Sequence, residues 1–155
     1  MHSTATRLTL IATLGSAALL GGAFAFQYIG GLAPCQLCLW QRWPHAAAIL
    51  IGVFALATGW RGLAWAGALA ALATAGIGGF HVGVEQGWWE GLATCTAGSI
   101  SGISTADLLN PAADVAAPVR CDAIAWQMFG ISMAGWNMLL SLGLAAIWVT
   151  AARKG

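Results

Sequence analysis

Four cysteines carry the reactive chemistry of this 155-residue chain: Cys35, Cys38, Cys95 and Cys121. Cys35 and Cys38 flank two residues in Pro34-Cys35-Gln36-Leu37-Cys38. A disulfide across so short a gap closes almost no loop and adds little entropic stability. That spacing serves metal binding or redox exchange instead. A zinc site would need a second such pair or nearby histidine, and Cys95 and Cys121 are 26 positions apart, too wide for a knuckle. The surroundings of the first pair favour redox exchange. A helix is expected to begin near Cys38, and its positive N-terminal end lowers thiol pKa values. Arg42, four residues beyond Cys38, adds a fixed cation one turn along the same face. Taken alone, the wider pair reads as a staple worth roughly 3–4 kcal/mol.

The elements that must hold these residues are membrane spans. Hydrophobic residues make up 59% of the chain and charged ones 7%, where a soluble domain carries about a quarter charged. The mean hydropathy is +0.79. These values exclude a soluble globular domain, a disordered chain and a nucleic-acid binder, which would need a basic face. Charge-poor runs predict helical spans over about 8–26, 44–60, 63–84 and 129–150, each near the length that crosses ~30 Å of hydrocarbon. The chain thus reads as one all-α membrane domain over 1–155, a four-helix bundle with loops at about 27–43 and 85–128 on one face. Gly79, Gly83 and Gly87 recur every four residues and predict a close helix–helix approach. Met128, Met133 and Met138 read as core packing.

Lysine and arginine orient the bundle. Arg7, Arg61, Arg153 and Lys154 fall on one face, Arg42 and Arg120 on the other, which predicts cytoplasmic termini. All four cysteines then face an oxidising outer compartment, where an even count suggests two pairs. A competing reading takes Ala23-Phe24-Ala25 as a signal-peptide cleavage site after a short basic start, which would leave three spans.

With Cys35-Gln-Leu-Cys38-Leu-Trp-Gln-Arg42 before the second span, Gly83-Val-Glu-Gln-Gly-Trp-Trp-Glu-Gly-Leu-Ala-Thr-Cys95, and Cys121-Asp-Ala-Ile-Ala-Trp-Gln-Met-Phe-Gly-Ile-Ser132, the chain resembles the DsbB family of disulfide-forming membrane proteins. The resemblance covers nearly the whole chain. It implies an inner-membrane oxidoreductase that reoxidises a periplasmic DsbA-type dithiol and reduces a membrane quinone, ubiquinone or menaquinone. Cys95 would be the sulfur attacked by the partner, and Cys121 its disulfide mate. Cys35 and Cys38 would pass electrons onward, Cys38 facing the quinone with Arg42 beside it. A histidine ahead of the third cysteine corresponds to His81, also placed on the cofactor side. Some members carry an acid before the arginine, where this chain has Gln41.

The physical logic agrees with that implication. A DsbA-type partner sits near −120 mV, so an ordinary structural disulfide below about −300 mV would run backwards by roughly 180 mV, about 8 kcal/mol. A lipid-soluble quinone is a sufficient sink and places the reactive cysteines at the end of a span. In the long loop, Gly98-Ser99-Ile100-Ser101-Gly102 is expected to flex, with Ile100, Ile103, Leu108 and Leu109 resting on the membrane. Two other functions compete. A vitamin K epoxide reductase type would carry its quinone-proximal C-x-x-C after the loop cysteines, whereas here it comes first. A non-enzymatic helical scaffold with stapled loops would bind no quinone.

Overall fold

A computed structural model describes residues 4–60, 62–93 and 119–154. Arg61, Cys95 and the expected flexible stretch with Ile100, Ile103, Leu108 and Leu109 lie outside the described residues.

Four long helices form the bundle: α1 (Thr4–Tyr28), α2 (Gln36–Thr58), α3 (Leu63–Glu85) and α4 (Met133–Lys154). Each packs against its neighbours in the cycle α1–α2–α3–α4–α1. Between α3 and α4, strands β1 (Gln127–Met128) and β2 (Ile131–Ser132) pair antiparallel. Their two-residue turn holds Phe129 and Gly130 at φ 53° and 75°, the positive values a tight hairpin of matching twist needs. The hairpin takes up the start of the last apolar run, so α4 begins at Met133 and not near 129.

The second helix also departs from the expected boundary. It starts at Gln36, because Cys35 at φ −74° and ψ 172° is its N-cap, the Sγ accepting from the Cys38 backbone N–H. Pro44 therefore lies inside the helix, where it removes one donor from the ladder. In that turn the Thr74 hydroxyl donates to the Gln41 carbonyl at 3.1 Å. Among the described residues, α1, α3 and α4 are long and apolar enough to cross a membrane. Helix α2 has the length, but carries Gln36, Gln41, Arg42 and His45 in its first ten residues.

The interior is built of small residues, the exterior of large apolar ones. Ala12, Ala64, Ala68, Ala71, Leu144, Ala145, Trp148 and Ala151 form one core cluster, while Leu14, Leu50, Phe54 and Leu69 point outward. With lipid outside, helices gain little by burying leucine and associate where backbones come close. A Cβ on Gly67 would meet the Trp148 ring at 2.6 Å, and one on Gly52 would collide with Thr13, so those two glycines set the α3–α4 and α1–α2 contacts. The Gly79/Gly83/Gly87 repeat does not make one helix-packing face. Gly79 lies under Met138, Gly83 makes room for the Trp89 ring, and Gly87 leaves α3 at φ 68°.

Candidate functional site

The N-terminal end of α2 assembles the site. Cys35 caps the helix and Cys38 sits in its first turn, bringing the two sulfurs 2.9 Å apart as free thiols. The Cys35 sulfur also receives the Cys38 backbone N–H at 3.3 Å and lies 3.6 Å from His81 Nε2. These groups stabilise a thiolate. Its pKa is held down to about 4, first by the Cys38 side chain and then by His81, against the opposing effect of burial. Cys35, not Cys38, is thus the thiol that the helix terminus activates.

Near the end of α3, His81 is buried among polar partners. Its Nδ1 is 3.0 Å from Gln41 Nε2, and its Nε2 is 3.1 Å from the Cys121 carbonyl and 3.8 Å from Glu85 Oε1. Glu85 in turn accepts from the Ser132 hydroxyl, which also takes the Gly135 N–H at the start of α4. This carboxylate ties α3 to the hairpin and to α4. Cys121 is disulfide-bonded and fully buried, in one cluster with Cys35, Leu37 and Val84. Arg120 and Asp122 flank it on the surface as an ion pair, Nε to Oδ1 2.9 Å.

On the other side of α2 lies a cavity of about 420 Å³ between α1 and α4. Its wall is apolar, with Leu19, Phe26, Trp126 and Leu140, and α2 contributes Cys38, Gln41, Arg42 and His45. Arg42 is held by α1: one guanidinium nitrogen donates to Gln27 Oε1 at 2.6 Å, another to the Ala23 carbonyl at 3.4 Å, and the Phe24 ring lies 4.9 Å away. Its Nε is buried and without a partner among the described residues. The size and the apolar wall suit a small planar ring with an isoprenoid-type tail. Arg42, a donor whose Nε is unpartnered, and Cys38 belong to the same wall, so the residues present fit a quinone.

Of the residues singled out in the sequence, Cys35, Cys38 and Arg42 come together. Cys121 joins Cys35, and Cys95 lies outside the described residues. His81 is against Cys35 and is absent from the cavity wall, so it touches the dithiol and not the cofactor side. Cys35 Sγ, Cys38 Sγ and a His81 ring nitrogen lie within 4.8 Å of one another, a set that could hold a metal ion. Two thiolates on one zinc would stand about 3.8 Å apart by bond length and tetrahedral angle, so the 2.9 Å contact is closer to sulfur–sulfur chemistry. Met128 and Met133, expected as core, line the cavity. Sequence reasoning missed Glu85, His45, Thr74 and Asn137. Their signal was polarity within or at the edge of apolar runs, which in a membrane protein marks function.

The family described as "DsbB: Disulfide bond formation protein DsbB" matches residues 5–151. Similar proteins include "Disulfide bond formation protein B" of Methylococcus capsulatus, 33% identical, with 88% of this chain and 87% of that protein covered. "Disulfide bond formation protein B 2" of Pseudomonas savastanoi pv. phaseolicola is 33% identical over 95% of this chain and 88% of its own length. "Disulfide bond formation protein B" of Albidiferax ferrireducens is 26% identical over 96% and 90%. No solved structure matches. A dithiol on a helix N-terminus, poised between a buried disulfide and an apolar cavity, stands in a chain matched from residue 5 to 151: this chain belongs to the DsbB family.

Proposed function

We propose that this chain oxidises a periplasmic DsbA-type dithiol and passes the electrons to a membrane quinone. The observation that carries the reading is the division of the dithiol: Cys35 packs with disulfide-bonded Cys121, while Cys38 lines the cavity beside Arg42.

In this reading the partner's thiolate attacks Cys95, and the Cys95–Cys121 disulfide opens as the partner's own disulfide forms. The resemblance makes Cys95 the mate of Cys121, and a disulfide-bonded Cys121 beside free Cys35 and Cys38 accords with it. The reduced loop pair is reoxidised by exchange with the Cys35–Cys38 disulfide, leaving the two thiols of the α2 terminus. Cys35 is the better leaving and attacking sulfur because Cys38 and His81 stabilise its thiolate. Quinone, when bound, supplies a two-electron, two-proton acceptor. Cys38 would face such a ring from the cavity wall, the S–S bond to Cys35 forming as the two thiols lose two electrons and two protons to the acceptor, and Arg42 would donate hydrogen bonds to a ring oxygen. The apolar wall of Phe26, Trp126 and Leu140 keeps water from that charge.

The membrane arrangement follows the charges. We take residues 1–155 as one integral domain, α1 to α4 each crossing the inner membrane, with cytoplasmic termini and the cysteine-bearing segments in the periplasm. Anaerobic mixing of the purified chain with a reduced DsbA-type partner and quinone tests the function. One quinone should be reduced per partner disulfide formed. Partner oxidation without quinone reduction, or no partner oxidation, would overturn it.

A further inference from the structure

The cavity wall carries a polar group that the redox chain above does not use. His45 is 3% exposed, lies three residues beyond Arg42 on α2 and lines the same cavity. Its Nε2 is 2.8 Å from Asn137 Oδ1. Its Nδ1 is buried and has no partner among the described residues.

The surrounding network fixes which nitrogen of His45 holds the hydrogen. Asn137 Nδ2 donates to Gln41 Oε1 at 2.8 Å and to Thr74 Oγ1 at 3.1 Å. That assigns the other Asn137 atom, Oδ1, as an acceptor. An amide oxygen donates nothing, so His45 Nε2 must carry the hydrogen that bridges them. Further along, Gln41 Nε2 donates to the Leu37 carbonyl at 3.2 Å and to His81 Nδ1 at 3.0 Å, which leaves the hydrogen of His81 on Nε2, toward Cys35. Every donor in the chain His45–Asn137–Gln41–His81 points the same way. In the neutral ring, Nδ1 of His45 is left as a bare, buried acceptor in a side chain that lines the cavity.

We propose that His45 Nδ1 is the site's contact for a ring hydroxyl, so that the cavity binds hydroquinone in preference to quinone. The inference rests on the cavity being the quinone site. A quinone carbonyl is itself an acceptor and gains nothing from Nδ1, whereas each oxygen of the reduced ring carries a hydrogen to donate. Arg42, a donor only, serves the opposite need. The two residues are ~4.5 Å apart along the helix axis, the scale of a six-membered ring. The reaction balances: two thiols and a quinone give the Cys35–Cys38 disulfide and a hydroquinone, the two hydrogens and two electrons leaving sulfur for the ring oxygens. Preferential binding of the reduced form makes the bound ring a stronger oxidant. A tenfold preference is about 30 mV for a two-electron couple.

Binding is measured on the full chain carrying Cys35→Ser and Cys38→Ser, which blocks turnover. The probes are decylubiquinone and decylubiquinol, read by quenching of tryptophan emission, since Trp126 and Trp136 stand in the wall. The quinol should bind about tenfold more tightly, the worth of one buried hydrogen bond. Adding His45→Phe should weaken quinol about tenfold and leave quinone within about twofold. Equal affinities for the two forms before His45 is touched would overturn the proposal without recourse to that variant. So would a His45→Phe effect that falls equally on both forms or on quinone alone. Failure of both probes to bind at all would instead overturn the cavity as a quinone site.

Discussion

Removing the Cys38 sulfur should turn Cys35 from an acidic thiol into an ordinary one. In the folded protein Cys35 is held down to about 4, and the Cys38 side chain, 2.9 Å away, is the largest cause. At pH 7 a thiol near pKa 9 is about 1% ionised, whereas one near 4 is almost wholly thiolate. Thiolate absorbance at 240 nm, taken as the difference between the reduced chain and its Cys35→Ser variant, should therefore be flat from about pH 6 upward and fall only near pH 4. Cys38→Ala should move that inflection up the most. His81→Ala should move it less, because histidine is the second stabilising group and the Cys38 backbone N–H remains. The linked stability has a definite sign. The unfolded chain holds the Cys35 proton up to about pH 9, the folded chain only to about pH 4, so reduced protein gains stability as pH rises between these values. The gain approaches ~1.4 kcal/mol per pH unit for one group. Stability of the reduced chain should fall steadily as pH drops below about 9 and level off below about 4, and the Cys35→Ser variant should lack that component. An inflection of Cys35 near 8 to 9 in the unaltered protein would refute the reasoning outright.

Three further outcomes follow from the same site. Arg42→Ala should raise the quinone KM or lower turnover by about one to two orders of magnitude, while exchange between partner and loop disulfide stays nearly unchanged, as separate half-reaction measurements would register; Arg42→Lys should recover only part, since a point charge lacks the planar fork that spans Gln27 and Ala23. Cys121→Ala should trap a stable mixed disulfide between Cys95 and the partner on non-reducing gels; a trap that instead requires Cys121 reverses their roles. In a chain without native cysteines, an impermeant maleimide on intact spheroplasts should label a cysteine placed at Phe129 and spare one placed at Thr58 until the membrane is broken, and the opposite pattern would invert the topology.

The chemistry was legible from spacing where it was local. Two cysteines three positions apart and an arginine four positions on are one helical turn of information, and they meet as expected. What joins them from elsewhere was not. His81 reaches Cys35 across 46 positions, set by the packing of α2 on α3, which no local pattern encodes. Glu85 stands at the start of the loop expected over 85–128, yet its carboxylate is buried against Ser132 and His81. Gln41 and His45 in the first turns of α2, and Asn137 and Ser141 within the last apolar run, are each four apart, and that period marks a polar stripe facing inward. The helix ends were misread where side chains overrode hydropathy. Cys35 as an N-cap starts α2 at Gln36, two residues before the expected start near Cys38 and eight before the apolar span, and a turn at Phe129, a residue type that rarely takes positive φ, cut into the last apolar run.

The short spacing of the first pair also explains how one dithiol can serve a soluble partner and a lipid-soluble oxidant. At the N-cap and third positions of a helix, two sulfurs are close enough to bond, yet they project to different sides of the terminus. Cys35 turns toward Val84 of α3 and Cys121, where exchange with another disulfide needs sulfur but no cofactor. Cys38 turns toward α1 and α4, where the wall is apolar and the only fixed cation in contact is Arg42 among the described residues. The geometry also separates the two steps: the thiolate is stabilised at Cys35 by Cys38 and by His81, and His81 is absent from the cavity wall while Arg42 belongs to it. Damage to His81 should therefore appear in disulfide exchange, and damage to Arg42 in the quinone step, with Cys38 the residue on which both depend.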